Sequence, residues 1–308
     1  MPDRSPTSRR EPAIAQASPL GRRYDVGGRG LMLHRSGTGG PAVVFLPGNG
    51  MVGLDYVNIH ARAARLTTSV LYDRAGTGWS DPAELPRTAA DVTAELLDLL
   101  RTAGVPAPYL LVGHSLGGAY ARHFARLFPG DVAGLLLLDP FHEDMAARAP
   151  RQVLDKLERM KDPELPEPTE EQIERSRGLI APHFAKWPEP VRRPLIEYHL
   201  TSWRTGWHEG KNLYDEVSDE LRNAPGTPDV PMIVLTALGH DATQAGLWSE
   251  ELLREINDGK RLLHAELAAS VPRGEQRILH DAGHGWLHEE RPDAVLQAIS
   301  DLLDQAGR

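Results

Sequence analysis

The sequence predicts an α/β protein, a mostly parallel, doubly wound sheet into which a helical segment is inserted. Three observations predict it. Short apolar runs alternate with amphipathic helical stretches over residues 24–140. The alternation stops over 141–228, where no apolar strand occurs, and resumes over 229–308. Runs apolar at every position suit parallel strands, because helical crossovers cover both faces of such a sheet.

The elements follow in order. The first twenty residues carry Arg4, Arg9, Arg10 and Glu11 and no continuous apolar stretch, so residues 1–23 read as a flexible tail rather than a secretion signal. Residues 31–34 and 42–46 read as opening strands between glycine-rich turns. A third strand, 69–72, runs into Asp73-Arg74-Ala75-Gly76-Thr77-Gly78, which is too glycine-rich to continue a strand or a helix. Val92, Leu96, Leu97, Leu99 and Leu100 give 87–103 the apolar stripe of a helix facing a sheet. A strand at 109–112, a helix at 116–128 closed by Pro129-Gly130, and a fully apolar strand at 134–138 come next. Helical stretches at 151–160, 171–180 and 191–203, separated by proline-rich turns, make 141–228 a helical cap. Strand 232–235, a helix-rich stretch to 270, strand 276–279 and a terminal helix at 292–303 complete a core formed by 24–140 and 229–308.

Composition narrows the function. With 41% hydrophobic and 25% charged residues among 308, the chain has the make-up of a globular protein with a substantial core. Net charge is -9 and the 34 basic residues are scattered, so no nucleic-acid partner is expected. The absence of cysteine excludes disulfides, thiolate metal sites and a cysteine nucleophile. No apolar run approaches the roughly 20 residues of a membrane span, and a cytoplasmic enzyme is expected. Nothing in the sequence specifies an oligomeric state.

Gly113-His114-Ser115-Leu116-Gly117 satisfies G-x-S-x-G between an expected strand and an expected helix, the setting of a nucleophile elbow. The turn there is so tight that side chains two positions either side of the serine would clash with strand and helix, which Gly113 and Gly117 avoid. The helix after Ser115 aims free N–H groups and its positive end at any oxyanion formed beside the serine, and Leu116 N–H is the first such donor.

These residues, together with Leu46-Pro47-Gly48-Asn49-Gly50, residues 72–80 and Asp281-Ala282-Gly283-His284-Gly285-Trp286, resemble the α/β-hydrolase superfamily over about 24–303. The resemblance implies a second oxyanion donor from the turn after the early strand, at Asn49, with Gly50 as the alternative because Pro47 stands where the family often has histidine. It also implies that the general base follows the last strand. His284, flanked by glycines there, fits better than His280 or His288 among the 13 histidines. The acid that orients it is Asp139, directly after strand 134–138, or alternatively Asp241, which follows the next strand at slightly longer spacing.

Other residues carry blander readings. His142, Glu143 and Asp144 read as a solvated helix start. Trp187, Tyr198, Trp203 and Trp207 suit an apolar substrate wall and internal packing equally. Asp73 and Arg74 read as part of an internal ion pair. The acidic run 164–171 contains Pro166 and Pro168 and lacks histidine, so no metal is expected, and no cofactor is implied.

The function expected is that of a serine hydrolase cleaving a small or medium, largely apolar ester through an acyl-enzyme. A lactone, thioester or amide would use the same groups, so a small-molecule acyl compound is the expected partner. The alternatives are a small-molecule receptor with little turnover, a carbon-carbon hydrolase and a cofactor-free haloperoxidase. Epoxide hydrolases and haloalkane dehalogenases share the resemblance but need a carboxylate where Ser115 stands.

Overall fold

A computed structural model describes residues 18–159 and 167–307. Residues 1–17 of the expected tail, Met160 at the end of one expected helix, and the first part of the acidic run lie outside the described residues.

Eight strands form one sheet: β1 (Arg22–Val26), β2 (Arg29–Ser36), β3 (Ala42–Leu46), β4 (Ser69–Tyr72), β5 (Tyr109–His114), β6 (Val132–Leu138), β7 (Met232–Ala237) and β8 (Gly274–Leu279). Their order across the sheet is β1-β2-β4-β3-β5-β6-β7-β8. β2 pairs antiparallel with β1 and β4, and every other pairing is parallel. β1 escapes a reading by apolar runs because Arg-Arg-Tyr-Asp-Val is an edge strand paired on one side with β2, with only Tyr24 and Val26 packed against the core.

The helices are α1 (Val57–Ala63), α2 (Ala89–Thr102), α3 (Leu116–Leu127), α4 (Met145–Arg148), α5 (Arg151–Arg159), α6 (Glu170–Ile180), α7 (Glu189–Thr201), α8 (Trp203–Glu209), α9 (Ser218–Asn223), α10 (Ala242–Ala245), α11 (Glu250–Ala269), α12 (Leu287–Glu290) and α13 (Pro292–Ala306). α2 starts at 89 rather than 87 because the Thr88 hydroxyl accepts the Asp91 N–H at 3.0 Å and caps it.

Central strands are apolar on both faces, and each face enters its own core. In β3, Ala42, Val44 and Leu46 join a cluster with residues of α2, α3 and α11. Val43 and Phe45 point the other way, into a cluster with α1 and α13. β3, β5, β6, β7 and β8 are neighbours in the sheet, and the segments after them hold Asn49, Ser115, Asp139, Asp241 and His284 in turn.

All described elements between β6 and β7 are helical, from α4 to α9 with a π-helical turn at Leu213–Val217. The segment is fastened to the core near residues 53–56. The Trp187 indole N–H donates to the Leu54 carbonyl at 3.0 Å, and His199 Nε2 lies 2.8 Å from the buried Asp55 carboxylate. Phe184 and Trp187 pack edge-on against Trp286.

At the start of the segment the sequence reading needs correcting. His142 and Glu143 are buried rather than solvated, because Arg122 of α3 reaches up and donates to Glu143 Oε1 at 2.7 Å. Burial opposes ionisation of Glu143, but the Arg122 hydrogen bond outweighs it and brings its pKa down to about 2. Asp144 alone of the three is exposed, paired with Arg222.

Candidate active site

Ser115 sits between β5 and α3 with φ 51° and ψ -119°, a left-handed conformation costly for a side-chain-bearing residue. Its neighbours hold it there. The Ser115 N–H donates to Leu138 O at 3.1 Å, and the Ser115 carbonyl accepts from Gly118 and Phe141. A Cβ on Gly117 would stand 2.0 Å from the Leu46 carbonyl oxygen, and one on Gly113 2.5 Å from the Gly117 carbonyl oxygen, so neither site admits a larger residue.

The serine hydroxyl meets His284 Nε2 at 3.1 Å, and His284 Nδ1 donates to Asp139 Oδ2 at 2.6 Å. Both ring nitrogens are thereby engaged, Nε2 by the serine hydroxyl and Nδ1 by the carboxylate. Asp139 also has a positive φ, 43°, where β6 turns into Pro140. Its second oxygen accepts the Ala237 N–H at 2.9 Å, and Lys260 of α11 donates to Oδ2 at 3.0 Å. Burial alone would raise the Asp139 pKa. The Lys260 ammonium and the His284 hydrogen bond more than offset this and hold the carboxyl well below the ordinary carboxylate range.

Asp241, the alternative acid, lies on the other side of the histidine loop. Its Oδ2 accepts the Gly285 N–H at 2.9 Å and its Oδ1 the Gln244 N–H at 3.1 Å. His280 is exposed, and His288 is buried with its ring stacked on Tyr56 at 4.4 Å between centroids.

The turn after β3 lies against the elbow: a methyl on Gly48 would come 3.5 Å from Ser115 Cβ. The Gly48 N–H donates to the Tyr56 hydroxyl at 3.2 Å, and the Gly50 N–H to Glu209 Oε2 at 2.9 Å. Among the described residues the Asn49 N–H has no such protein partner. Leu116 is the first residue of α3, so its N–H has no intrahelical acceptor either.

His114 fixes the turn to the histidine loop. The His284 carbonyl can only accept, so His114 Nε2 donates to it at 2.8 Å and Nδ1 accepts from the Tyr56 hydroxyl at 2.6 Å. Burial keeps this imidazole neutral, its pKa well below the ordinary value.

Ser115, His284 and Asn49 open onto a cavity of about 470 Å³. Phe141, Met145, Val153, Leu213, Tyr214 and Trp248 give it apolar walls, with the cations Arg148 and Lys260 also on its lining. Trp187 and Tyr198 are buried in packing away from it, and Trp203 is exposed beneath the Arg204 guanidinium. Among the described residues no group of three or more His, Cys, Asp or Glu side chains could hold a metal ion.

Lys260 and Glu209 are the site neighbours that the sequence reading missed. Lys260 shares the buried face of α11 with Leu263, His264 and Leu267, so a lysine at apolar helical spacing was the available signal. Glu209 has no comparable signal, because its partner Arg74 is 135 positions away.

Residues 43–298 match the model of the "Alpha/beta hydrolase family". A pimeloyl-[acyl-carrier protein] methyl ester esterase of Chromobacterium violaceum is 28% identical over 259 residues, 83% of this chain and 84% of that protein. The uncharacterized protein YqjL of Bacillus subtilis is 36% identical over 114 residues, 37% of this chain, and the match spans only 45% of YqjL. In structure, a thermophilic esterase from Thermogutta terrifontis superposes with a TM-score of 0.61 at 19% identity, covering 93% of this chain and 98% of that one. A sheet of this order and a family match over most of its length make the chain a member of the alpha/beta hydrolase family.

Proposed function

We propose that this hydrolase cleaves a small or medium, largely apolar carboxylic ester through an acyl-enzyme on Ser115. The observation that carries the proposal is the unbroken hydrogen-bond chain from the Ser115 hydroxyl through His284 to Asp139. In this reading His284 Nε2 takes the serine proton as Oγ attacks the ester carbonyl, and the Asp139 carboxylate stabilises the imidazolium formed. The N–H groups of Asn49 and Leu116 receive the oxyanion. Asn49 is preferred to Gly50 because Glu209 engages the Gly50 N–H. His284 then returns the proton to the leaving alcohol, and water enters the same cycle to release the acid.

Residues 141–228 act as a cap whose apolar walls, with those of the core, select the substrate. A cavity of about 470 Å³ accommodates a chain or ring of moderate size. A small-molecule acyl substrate and a cytoplasmic setting belong to the same proposal. Among the described residues no helix is long and apolar enough to cross a membrane.

The test is a series of p-nitrophenyl esters of increasing acyl length. Turnover is expected to peak at short to medium chains, and Ser115→Ala is expected to lower kcat by roughly 10⁴-fold or more. Full activity in Ser115→Ala would refute the mechanism. A strong ligand-induced rise in melting temperature with no turnover by the wild type would instead favour a receptor.

A further inference from the structure

Arg74 and Glu209 form an ion pair whose side chains are 1% and 3% exposed, with Arg74 Nε donating to Glu209 Oε1 at 2.7 Å. Arg74 leaves the end of β4 and Glu209 ends α8, so the pair joins the core to the helical segment. Asp73 is not the partner. It accepts instead from the Gly53 and Trp79 N–H groups at 2.8 and 2.9 Å. The Arg74 guanidinium also lies over the Tyr120 ring, 5.7 Å from its centroid, and three further hydrogen bonds of the pair go to one short turn. Arg74 donates to the Pro47 carbonyl at 2.7 Å and to the Gly48 carbonyl at 2.9 Å, while Glu209 Oε2 accepts the Gly50 N–H at 2.9 Å.

Stereochemistry converts these bonds into an orientation. The 48–49 peptide is not among the cis bonds, so its C=O and N–H point in opposite directions. With the Gly48 carbonyl drawn to Arg74, the Asn49 N–H is turned away from Arg74, and Asn49 lines the cavity that Ser115 also lines. A second contact, independent of charge, presses on the same turn. Gly206 of α8 lies so close that a Cβ there would stand 2.8 Å from Gly50 Cα.

We propose that the Arg74–Glu209 pair and the glycine face of α8 at Gly206 are positioning elements that aim the Asn49 N–H at the oxyanion, which makes the cap a fixed part of the catalytic apparatus as well as a pocket wall. The inference rests on the serine-hydrolase reading above. The opposite charges also matter: a lone carboxylate behind the turn would repel a developing oxyanion, and the guanidinium cancels it while drawing the carbonyl dipoles backward.

The test uses the full chain and two variants. Gly206→Ala leaves every charge in place and pushes on Gly50. The double variant Arg74→Met with Glu209→Leu removes the hydrogen bonds without stranding a buried charge, a replacement that proteins often tolerate. Each is measured for kcat and KM on the best ester. Each is also measured for affinity to an alkyl trifluoromethyl ketone, to which the serine hydroxyl adds to give a tetrahedral oxyanion, and to the product acid, which forms none.

The expected result is a roughly 10- to 100-fold fall in kcat with KM within about twofold. Ketone affinity should fall in parallel and product affinity should hold. Folded variants with kcat and ketone affinity within about twofold of wild type would overturn the inference, as would a change confined to KM and product binding. If the double variant does not fold, Gly206→Ala decides by the same criteria. Wild type that neither turns over the ester nor binds the ketone would instead refute the serine-hydrolase reading.

Discussion

Asp139 and Asp241 show what a single residue's surroundings decide. Both follow strands and both lie before the histidine in the chain, so spacing could not separate them. Their hydrogen bonds do: the Asp139 carboxylate receives His284 Nδ1 and Lys260, whereas Asp241 receives the backbone N–H groups of Gly285 and Gln244. Asp139→Asn is therefore expected to lower kcat by about 10³- to 10⁴-fold, because the amide cannot hold the imidazole in the required tautomer. Asp241→Asn should cost no more than about tenfold, by loosening the loop that carries His284. Steady-state kinetics of the two variants, with circular dichroism as a folding control, checks the contrast.

Elements were legible in proportion to how far their burial follows one period. α2 was, since Val92, Leu96, Leu99 and Leu100 return to one face and that face is the one buried. Leu96→Ala is expected to destabilise the protein by about 2–5 kcal/mol, and Asp98→Ala, on the exposed face, by less than about 0.5 kcal/mol, as read from urea unfolding. The elbow was legible because its glycines answer a local steric demand between adjacent elements. β1 was not, because in the edge strand Arg-Arg-Tyr-Asp-Val only Tyr24 and Val26 turn toward the core, too few to form an apolar run, and its place is set by pairing with β2. The burial of Glu143 and the meeting of Glu209 with Arg74 were hidden for a related reason: each depends on how helices from distant parts of the chain pack, and no periodicity encodes that.

For the molecule as a whole, the buried histidines set the response to acid. Burial keeps His60, His114, His264 and His288 neutral, lowering their pKa values to about 3 for His60, about 4 for His264 and His288, and well below the ordinary range for His114. In the unfolded chain each titrates near 6.5. Asp73, whose pKa burial raises to about 7, works in the opposite sense but offsets about one of the four rings, so between about pH 6.5 and 4 the unfolded state binds more protons on balance and stability falls as pH falls through that window. Each histidine contributes up to roughly 1.4 kcal/mol per pH unit there and nothing further once the pH is above the unfolded value. The urea midpoint is accordingly expected to be level above about pH 7.5 and to drop steeply from pH 6.5 to 5. A midpoint that stays constant or rises over that interval would show that these rings are not held neutral.

The most direct test of the central claim, that Ser115 is a nucleophile activated by His284, is treatment with a fluorophosphonate followed by intact-mass and peptide analysis. A single adduct is expected on Ser115, lost in Ser115→Ala and formed far more slowly in His284→Ala. A folded wild-type protein that takes up no adduct, or takes it up on another residue, would contradict that claim.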